Sequence, residues 1–388
     1  MTGVWASDKL VNKSVRMRVM CLTVAVLAVV PGCVEAEPSP TTESESTTTV
    51  PTSAPDTTAL SETTTTDPPP DPPIVEASFP QSGAAAPIWD DDGYASASYA
   101  TTLATLAEAG ASWVTVVPTW YQTDAESSTI YPEQPGRTAN DEALLTAITE
   151  ARSLGMRVTL KPHVDLAAGG SRISITPVDE GEWFASYTDM ILRYAAMAEE
   201  EGVEQFVVGT ELGGTSGNES AWREVIARVR DVYSGPITYA ANHDEFEEIA
   251  FWEALDFIGV DAYFPLSEVP TTIISDLTRA WEPIVSNMTE IADREGRRIV
   301  FTEVGYPSQE GATVEPYNPS RSDVVSEGEQ AAAVEAMITA VAGEPWFGGF
   351  HWWMWFAESS DSAAALSYMP EGKLAGGILE AYWAETSP

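Results

Sequence analysis

The chain has 388 residues, 44% of them hydrophobic, with 59 acidic against 19 basic side chains and a formal charge of −40. So large a negative charge repels phosphate backbones, which argues against nucleic acid as a partner, disfavours anionic polysaccharides, and reads as a device for solubility. Both cysteines, Cys21 and Cys33, precede residue 34, so the rest of the chain holds no disulfide, thiolate zinc site or cysteine nucleophile.

Lys9, Lys13, Arg16 and Arg18 lead into the apolar run "VMCLTVAVLAVVPGC". A basic stretch, a short apolar stretch and small residues before a cut are the parts of a secretory signal, and the run is too short for a membrane span. Its end, "VVPGC", resembles a bacterial lipobox, which would make residues 1–33 a signal peptide and Cys33 the lipidated first residue of the mature protein. An ordinary signal cleaved nearby, with Cys33 incidental, is the alternative; Met17 or Met20 would open a tighter signal. The expected location is outside the cell, anchored to the outer face of a bacterial membrane or secreted. Residues 34–76 carry nine acidic side chains, no Lys or Arg, and almost no large apolar groups. Such a segment cannot bury enough surface to offset its ordering entropy and is expected to be a disordered tether.

From residue 77 to 388 short apolar runs alternate with helical stretches. Strands are expected at 113–118, 157–162, 205–210, 237–241, 256–262, 298–303 and 348–355, with a weak first strand at 86–90. Helical patterns fill 99–110, 140–155, 180–202, 219–235 and 326–343, each ending on a glycine, as helix C-termini often do. Asn140 is placed as an N-cap. Continuous-run strands separated by helices argue for parallel βα units. At this length the closure expected is an eight-stranded (β/α)8 TIM barrel, an α/β fold. The alternative, a doubly wound open sheet, would be expected to show a G-x-G-x-x-G after a strand, and the chain has none.

Two of these strands run into a Thr-Glu pair and then into a glycine-containing loop: "QFVVGTELGG" from Gln205 and "RIVFTEVGYPSQEG" from Arg298. A carboxylate where a buried strand emerges is costly unless something uses it. Barrel chemistry sits at the C-terminal ends of strands. Glu211 follows the fourth strand and Glu303 ends the seventh, so the two would converge across the mouth. Paired carboxylates so placed are what cleavage of a glycosidic bond needs.

With "SWVTVVPTWYQ", "RVTLKPHVDL", "FVVGTELGG", "FWEALDFIGVDAYFPLS", "FTEVGYPS" and "GGFHWWMWF", the chain resembles clan A of the glycoside hydrolases, and more narrowly the family 113 β-mannanases. The resemblance spans almost all of residues 83–356. It implies Glu211 as acid/base and Glu303 as nucleophile of a retaining, endo-acting hydrolase of β-1,4-linked polysaccharide, mannan or glucomannan above all. One departure stands out: many clan members carry Asn just before the acid/base, where it binds the sugar 2-hydroxyl, and this chain has Thr210.

Around the pair, Tyr263 in "VDAYFP" is positioned to donate its hydroxyl to Glu303. Lys161, His163 and Asp165 alternate off the third strand and should point the same way, toward sugar hydroxyls. A metal site is the competing reading of H-x-D, but only three histidines exist in the chain, His163, His243 and His351. Asn242, just past the fifth strand, is a further polar candidate. Sugars present flat C–H faces that need aromatic platforms, and Trp120 and Trp353 are the candidates, with Trp353 and Trp355 expected on one face and Trp352 on the other. Asp90, Asp91 and Asp92 read as a solvated loop before a calcium site. Neither cofactor nor metal is needed, the partner expected is a polysaccharide or oligosaccharide, and a monomer suffices. No G-x-S-x-G supports a serine hydrolase. A surface lipoprotein that binds glycan without cutting it is the non-enzyme alternative, and a β-glycosidase of different sugar specificity is the enzymatic one.

Overall fold

The computed structural model describes residues 80–356 and 362–386; the signal, the tether and Cys33 lie outside the described residues. Ten strands occur among them: β1 (Gln81–Ala85), β2 (Trp113–Val116), β3 (Thr119–Gln122), β4 (Arg157–Leu160), β5 (His163–Leu166), β6 (Gln205–Thr210), β7 (Ile237–Asn242), β8 (Ile258–Asp261), β9 (Ile299–Val304) and β10 (Phe347–Trp353). Eight of them, β1, β2, β4, β6, β7, β8, β9 and β10 in that order, close into a barrel with every neighbouring pair parallel. Strands buried on both faces read as continuous apolar runs, which is why the sequence marks them so plainly.

The strands expected at 113–118 and 157–162 end early, at Val116 and Leu160. Pro118 and Pro162 have no N–H to give a ladder, so the chain leaves the barrel there. It resumes as β3 and β5, a parallel pair of its own above the mouth, with Thr119 opposite His163 and Tyr121 opposite Asp165. The first strand is also corrected: it is β1, "QSGAA" at 81–85, and not 86–90, which is loop. Its residues are small because the neighbouring strand lies close. A Cβ on Gly83 would stand 2.6 Å from the carbonyl oxygen of Trp113. The barrel's seam pairs Gln81 with Gly349, whose φ of 112° and contact with the Gln81 backbone leave no room for a side chain.

Helices α1 (Ala97–Glu108), α2 (Asp141–Ser153), α3 (Glu180–Glu200), α4 (Gly213–Ser216), α5 (Glu219–Arg230), α6 (Ile274–Glu295), α7 (Glu327–Val341), α8 (Ser362–Leu366) and α9 (Leu374–Thr386) complete the described chain. Asn140 caps α2 by accepting from the Ala143 N–H at 2.9 Å. Helix α6 has no counterpart in the sequence reading, because Pro283 interrupts its pattern; it ends on Gly296 in the left-handed conformation. An aromatic layer fixes the helices against strands β6 and β7. Trp222 meets Tyr187 edge-on at 5.3 Å and Tyr239 at 5.2 Å, and stacks on Phe251 at 5.9 Å. Truncating a buried tryptophan of this kind to alanine costs roughly 3–5 kcal/mol. This layer seats the strand ends from which the candidate site is built.

Candidate active site

The C-terminal ends of β4, β6, β7, β8, β9 and β10 deliver Lys161, Glu211, Asn242, Asp261, Glu303 and Trp353 to one mouth. Glu303 is within β9 and 2% exposed. Lys161 Nζ donates to its Oε1 at 2.6 Å, and the Tyr263 hydroxyl donates to its Oε2 at 2.6 Å. The same ammonium donates to both oxygens of Asp261, at 2.8 and 3.0 Å, and Thr302 adds its hydroxyl at 2.8 Å. One buried cation therefore serves two buried carboxylates. Burial and the nearby Glu303 charge push Asp261 well above the usual carboxylate range, with Lys161 opposing. Tyr263 is driven up by burial and then by Glu303.

His163 lies between these groups, its Nε2 3.5 Å from Glu303 Oε1 and its ring stacked on Trp353 at 6.1 Å. Neither ring nitrogen has a hydrogen-bond partner. Burial first, then the charges of Arg172 and Lys161, hold it well below the normal histidine range, so it is a neutral ring.

Glu211 is one residue past β6 with φ of 50°, the left-handed region that costs most side chains of order 1–3 kcal/mol. The turn is held from behind. Its N–H donates to the Ala240 carbonyl at 2.8 Å, and the Leu212 N–H donates to the Tyr239 hydroxyl at 2.9 Å. Tyr239 in turn donates to Glu245 Oε1 at 2.9 Å, and Glu245 Oε2 accepts the Asn242 N–H at 3.0 Å. In front, Arg172 Nη1 donates to Glu211 Oε2 at 3.0 Å. Burial raises the Glu211 carboxyl to about 7, with Arg172 opposing and Glu303 adding to the rise.

Both glutamates line one cavity of about 520 Å³, with Asn242, His243, Tyr263, Tyr317, Trp353 and Tyr368 among its walls. It has the size and mixture of flat aromatic and polar groups that a saccharide unit requires. A second depression of about 410 Å³ lies beyond Arg172, bounded by Trp89, Tyr121, Arg137 and Asp165.

The residues singled out from the sequence are distributed as follows. Glu211, Glu303, Asn242, Tyr263 and Trp353 share the cavity. Lys161 and His163 are wholly buried behind Glu303, which corrects the expectation that they face sugar hydroxyls directly. Asp165 does not follow them: it belongs to the second depression and accepts from Arg172 at 2.7 and 3.1 Å. Trp120 is placed away from both hollows, because β3 turns its indole toward α3, where Nε1 donates to the Tyr194 hydroxyl at 2.8 Å. Its neighbour Tyr121 faces the second depression instead. Trp355 does not share a face with Trp353: the strand ends at Trp353, and Trp355 is core, with its indole N–H on Thr105. Thr210 is buried, its hydroxyl 3.5 Å from the Pro162 carbonyl oxygen. Among the described residues the cluster with metal-binding spacing is Asp90, Asp91 and Asp92, and neither His163 nor Asp165 belongs to it.

Arg172, Asp261, His243, Tyr317 and Tyr368 were not foreseen. Asp261 was legible in principle, as a carboxylate ending the "FIGVD" strand. Arg172 sits in "AAGGSR", a loop with no periodicity to place it.

The profile of glycoside hydrolase family 113 matches residues 89–373. The fold is similar to a family 113 β-mannanase of Alicyclobacillus acidocaldarius solved with ManMIm, at 30% identity over 79% of this chain and 97% of that one, with a TM-score of 0.72. A family 113 β-1,4-mannanase solved as a complex is 28% identical over 79% and 99% of the two chains, TM-score 0.71. An endo-β-1,4-mannanase of Thermotoga petrophila shares the fold alone, at 12% identity over 80% and 77% of the two chains, with a TM-score of 0.53. No curated protein sequence matches the chain.

Proposed function

The chain belongs to glycoside hydrolase family 113, and from that premise we propose that it is a retaining endo-hydrolase of β-1,4-mannan or glucomannan, with Glu303 as nucleophile and Glu211 as acid/base. The observation that carries this reading is the contrast between two glutamates in one cavity. Glu303 receives an ammonium and a phenol hydroxyl, donors that stabilise negative charge and aim the carboxylate. Glu211 is raised by burial to about 7, so near neutrality it has a proton to give.

In the first step Glu303 bonds to the anomeric carbon as the C–O bond to the leaving sugar breaks. The electron pair goes to that oxygen, which takes the Glu211 proton. In the second, the Glu211 carboxylate removes a proton from water as the water attacks the same carbon and the Glu303 ester opens. Two displacements retain configuration. Trp353 offers a face to the sugar, and Asn242 a polar edge. The mannan preference is supported by the family 113 mannanases that the chain is similar to. The sequence of residues 1–33 supports export with lipid attachment at Cys33, testable by radiolabelled palmitate incorporation in a bacterial host against Cys33→Ala.

The test incubates the full chain with mannan, glucomannan, xylan and mixed-linkage β-glucan, and follows product anomers by proton NMR. Release from mannan with the β-anomer appearing first, abolished in Glu303→Ala, is the expected result. An α-anomer first would sink the retaining mechanism, and release from xylan alone would sink the mannan reading.

A further inference from the structure

We propose that Arg172, aimed by Asp165, is a positioning residue that sets how readily Glu211 gives up and recovers its proton. The proposal rests on the assignment of Glu211 as acid/base.

Arg172 does not come from a barrel strand. It begins a short 3-10 turn, Arg172–Ser174, behind Gly169 and Gly170, whose φ values of 85° and 118° are those of residues that reverse the chain. The reversal carries a guanidinium back over the mouth. There its three nitrogens divide between two carboxylates: Nη1 on Glu211, and Nε with Nη2 both on Asp165 Oδ1. The side chain is 14% exposed, and those of Asp165 and Glu211 are 29% and 15%. A planar fork clamped at one edge has its remaining N–H direction fixed. Asp165 therefore decides where Nη1 points, and Nη1 decides where the Glu211 carboxyl points.

Several other charged groups face Glu211: Glu303 on β9, Lys161 after β4, Glu245 beyond β7, and Asp244, which lines the same cavity. Lys161 is spent on Asp261 and Glu303. Arg172 is thus the cation that hydrogen-bonds Glu211. When the leaving oxygen takes the proton, Glu211 becomes a carboxylate, and its bond from Arg172 becomes an ion pair, stronger than the bond to the neutral acid. The guanidinium makes Glu211 a stronger acid in the first step.

The experiment has two arms, both on the full chain. In the first, protein carrying carbon-13 in its glutamate carboxyls is titrated by NMR, Glu211 being assigned by difference with Glu211→Gln. Wild type is expected to titrate Glu211 at about 7, Arg172→Gln at least one pH unit higher, and Asp165→Asn in between, with Arg172→Lys only partly restoring the wild-type value. In the second, kcat/KM is measured across pH for an oligosaccharide and for an aryl glycoside with a dinitrophenolate leaving group, which departs without a proton. Arg172→Gln should lose at least tenfold on the oligosaccharide, move the alkaline limb upward, and lose less than threefold on the aryl glycoside. An unmoved or lowered Glu211 midpoint, or equal losses on both substrates, would overturn the proposal. Asp165→Asn, close in shape to the native residue, keeps the test decisive if Arg172→Gln does not fold. A wild type that titrates as expected yet cleaves no glycoside would overturn the hydrolase reading and leave the coupling of Arg172 to Glu211 standing.

Discussion

Lys161 places its ammonium 2.6 Å from Oε1 of Glu303, with the lysine side chain wholly buried and the glutamate side chain 3% exposed. The same ammonium is 2.8 Å from Asp261. Replacing it leaves Glu303 buried without its counter-charge and Asp261 without its donor, a loss that costs about 3–5 kcal/mol when one partner of a buried pair is removed. Lys161→Met should therefore lower the urea-unfolding free energy by about that much. Adding Asp261→Asn should restore part of the stability and none of the activity. A single variant within about 1 kcal/mol of wild type would show that the cluster is not charged as described.

With Glu211 as the proposed acid/base, its proton should set the upper edge of the working pH range. Its carboxyl is raised to about 7 by burial, so the acid form persists to near neutrality and is lost as pH rises through that value. Activity on an oligosaccharide should fall about tenfold per pH unit on the alkaline side. Glu211→Gln, tested on an activated aryl glycoside, should lack that limb.

Tyr263 contributes a single O–H to Glu303, at 2.6 Å. Tyr263→Phe keeps the ring and its edge-on packing against Tyr368 at 6.2 Å, and removes only that donor. A hydrogen bond to a charged group is worth about 1.5–3 kcal/mol, which predicts a ten- to hundredfold loss in kcat/KM. Circular dichroism should be unchanged. Full activity in the variant would assign the aiming of Glu303 to Lys161 alone.

His351 is a neutral core ring. Its Nδ1 and Thr115 Oγ1 are 2.7 Å apart, and its Nε2 is 2.9 Å from Gln81 Oε1. Burial, aided by the Lys161 charge, lowers its pKa from 6.5 to about 3. Between those values the unfolded chain binds a proton that the folded chain refuses. Stability from this residue is complete above 6.5 and drains as pH falls toward 3, by roughly 2.5 kcal/mol at about pH 4.5. Because the raised Glu211 and Asp261 act in the opposite sense, the measurement is the difference in pH slope between wild type and His351→Gln. Equal slopes would refute the assignment of a neutral ring.

What was readable beforehand follows from how each element is stabilised. Strands β6 and β9 were plain because both faces are buried, and Glu211 and Glu303 were plain because each breaks an apolar run. Strand β1 was misplaced because "QSGAA" owes its smallness to Trp113, a neighbour only the closed barrel supplies. Alternation carried past Pro162 failed for Asp165, and the platform expected of Trp120 failed past Pro118, since the chain beyond both prolines forms a second sheet with its own facing. Arg172 was invisible because its position depends on a loop reversal, and its meaning on two carboxylates distant in sequence.

The pairing of Gln81 with Gly349 has a consequence for how the chain comes to be folded. The strand made first finds one of its two neighbours only when nearly all of the sequence has been synthesised. Until then β1 offers an open edge, and so does whichever strand was completed last. Local βα units can form as they emerge, but the contact that removes both edges spans most of the chain and pays the largest loop-closure entropy. The interval before that closure is when the chain is most exposed to edge-to-edge association with its own copies.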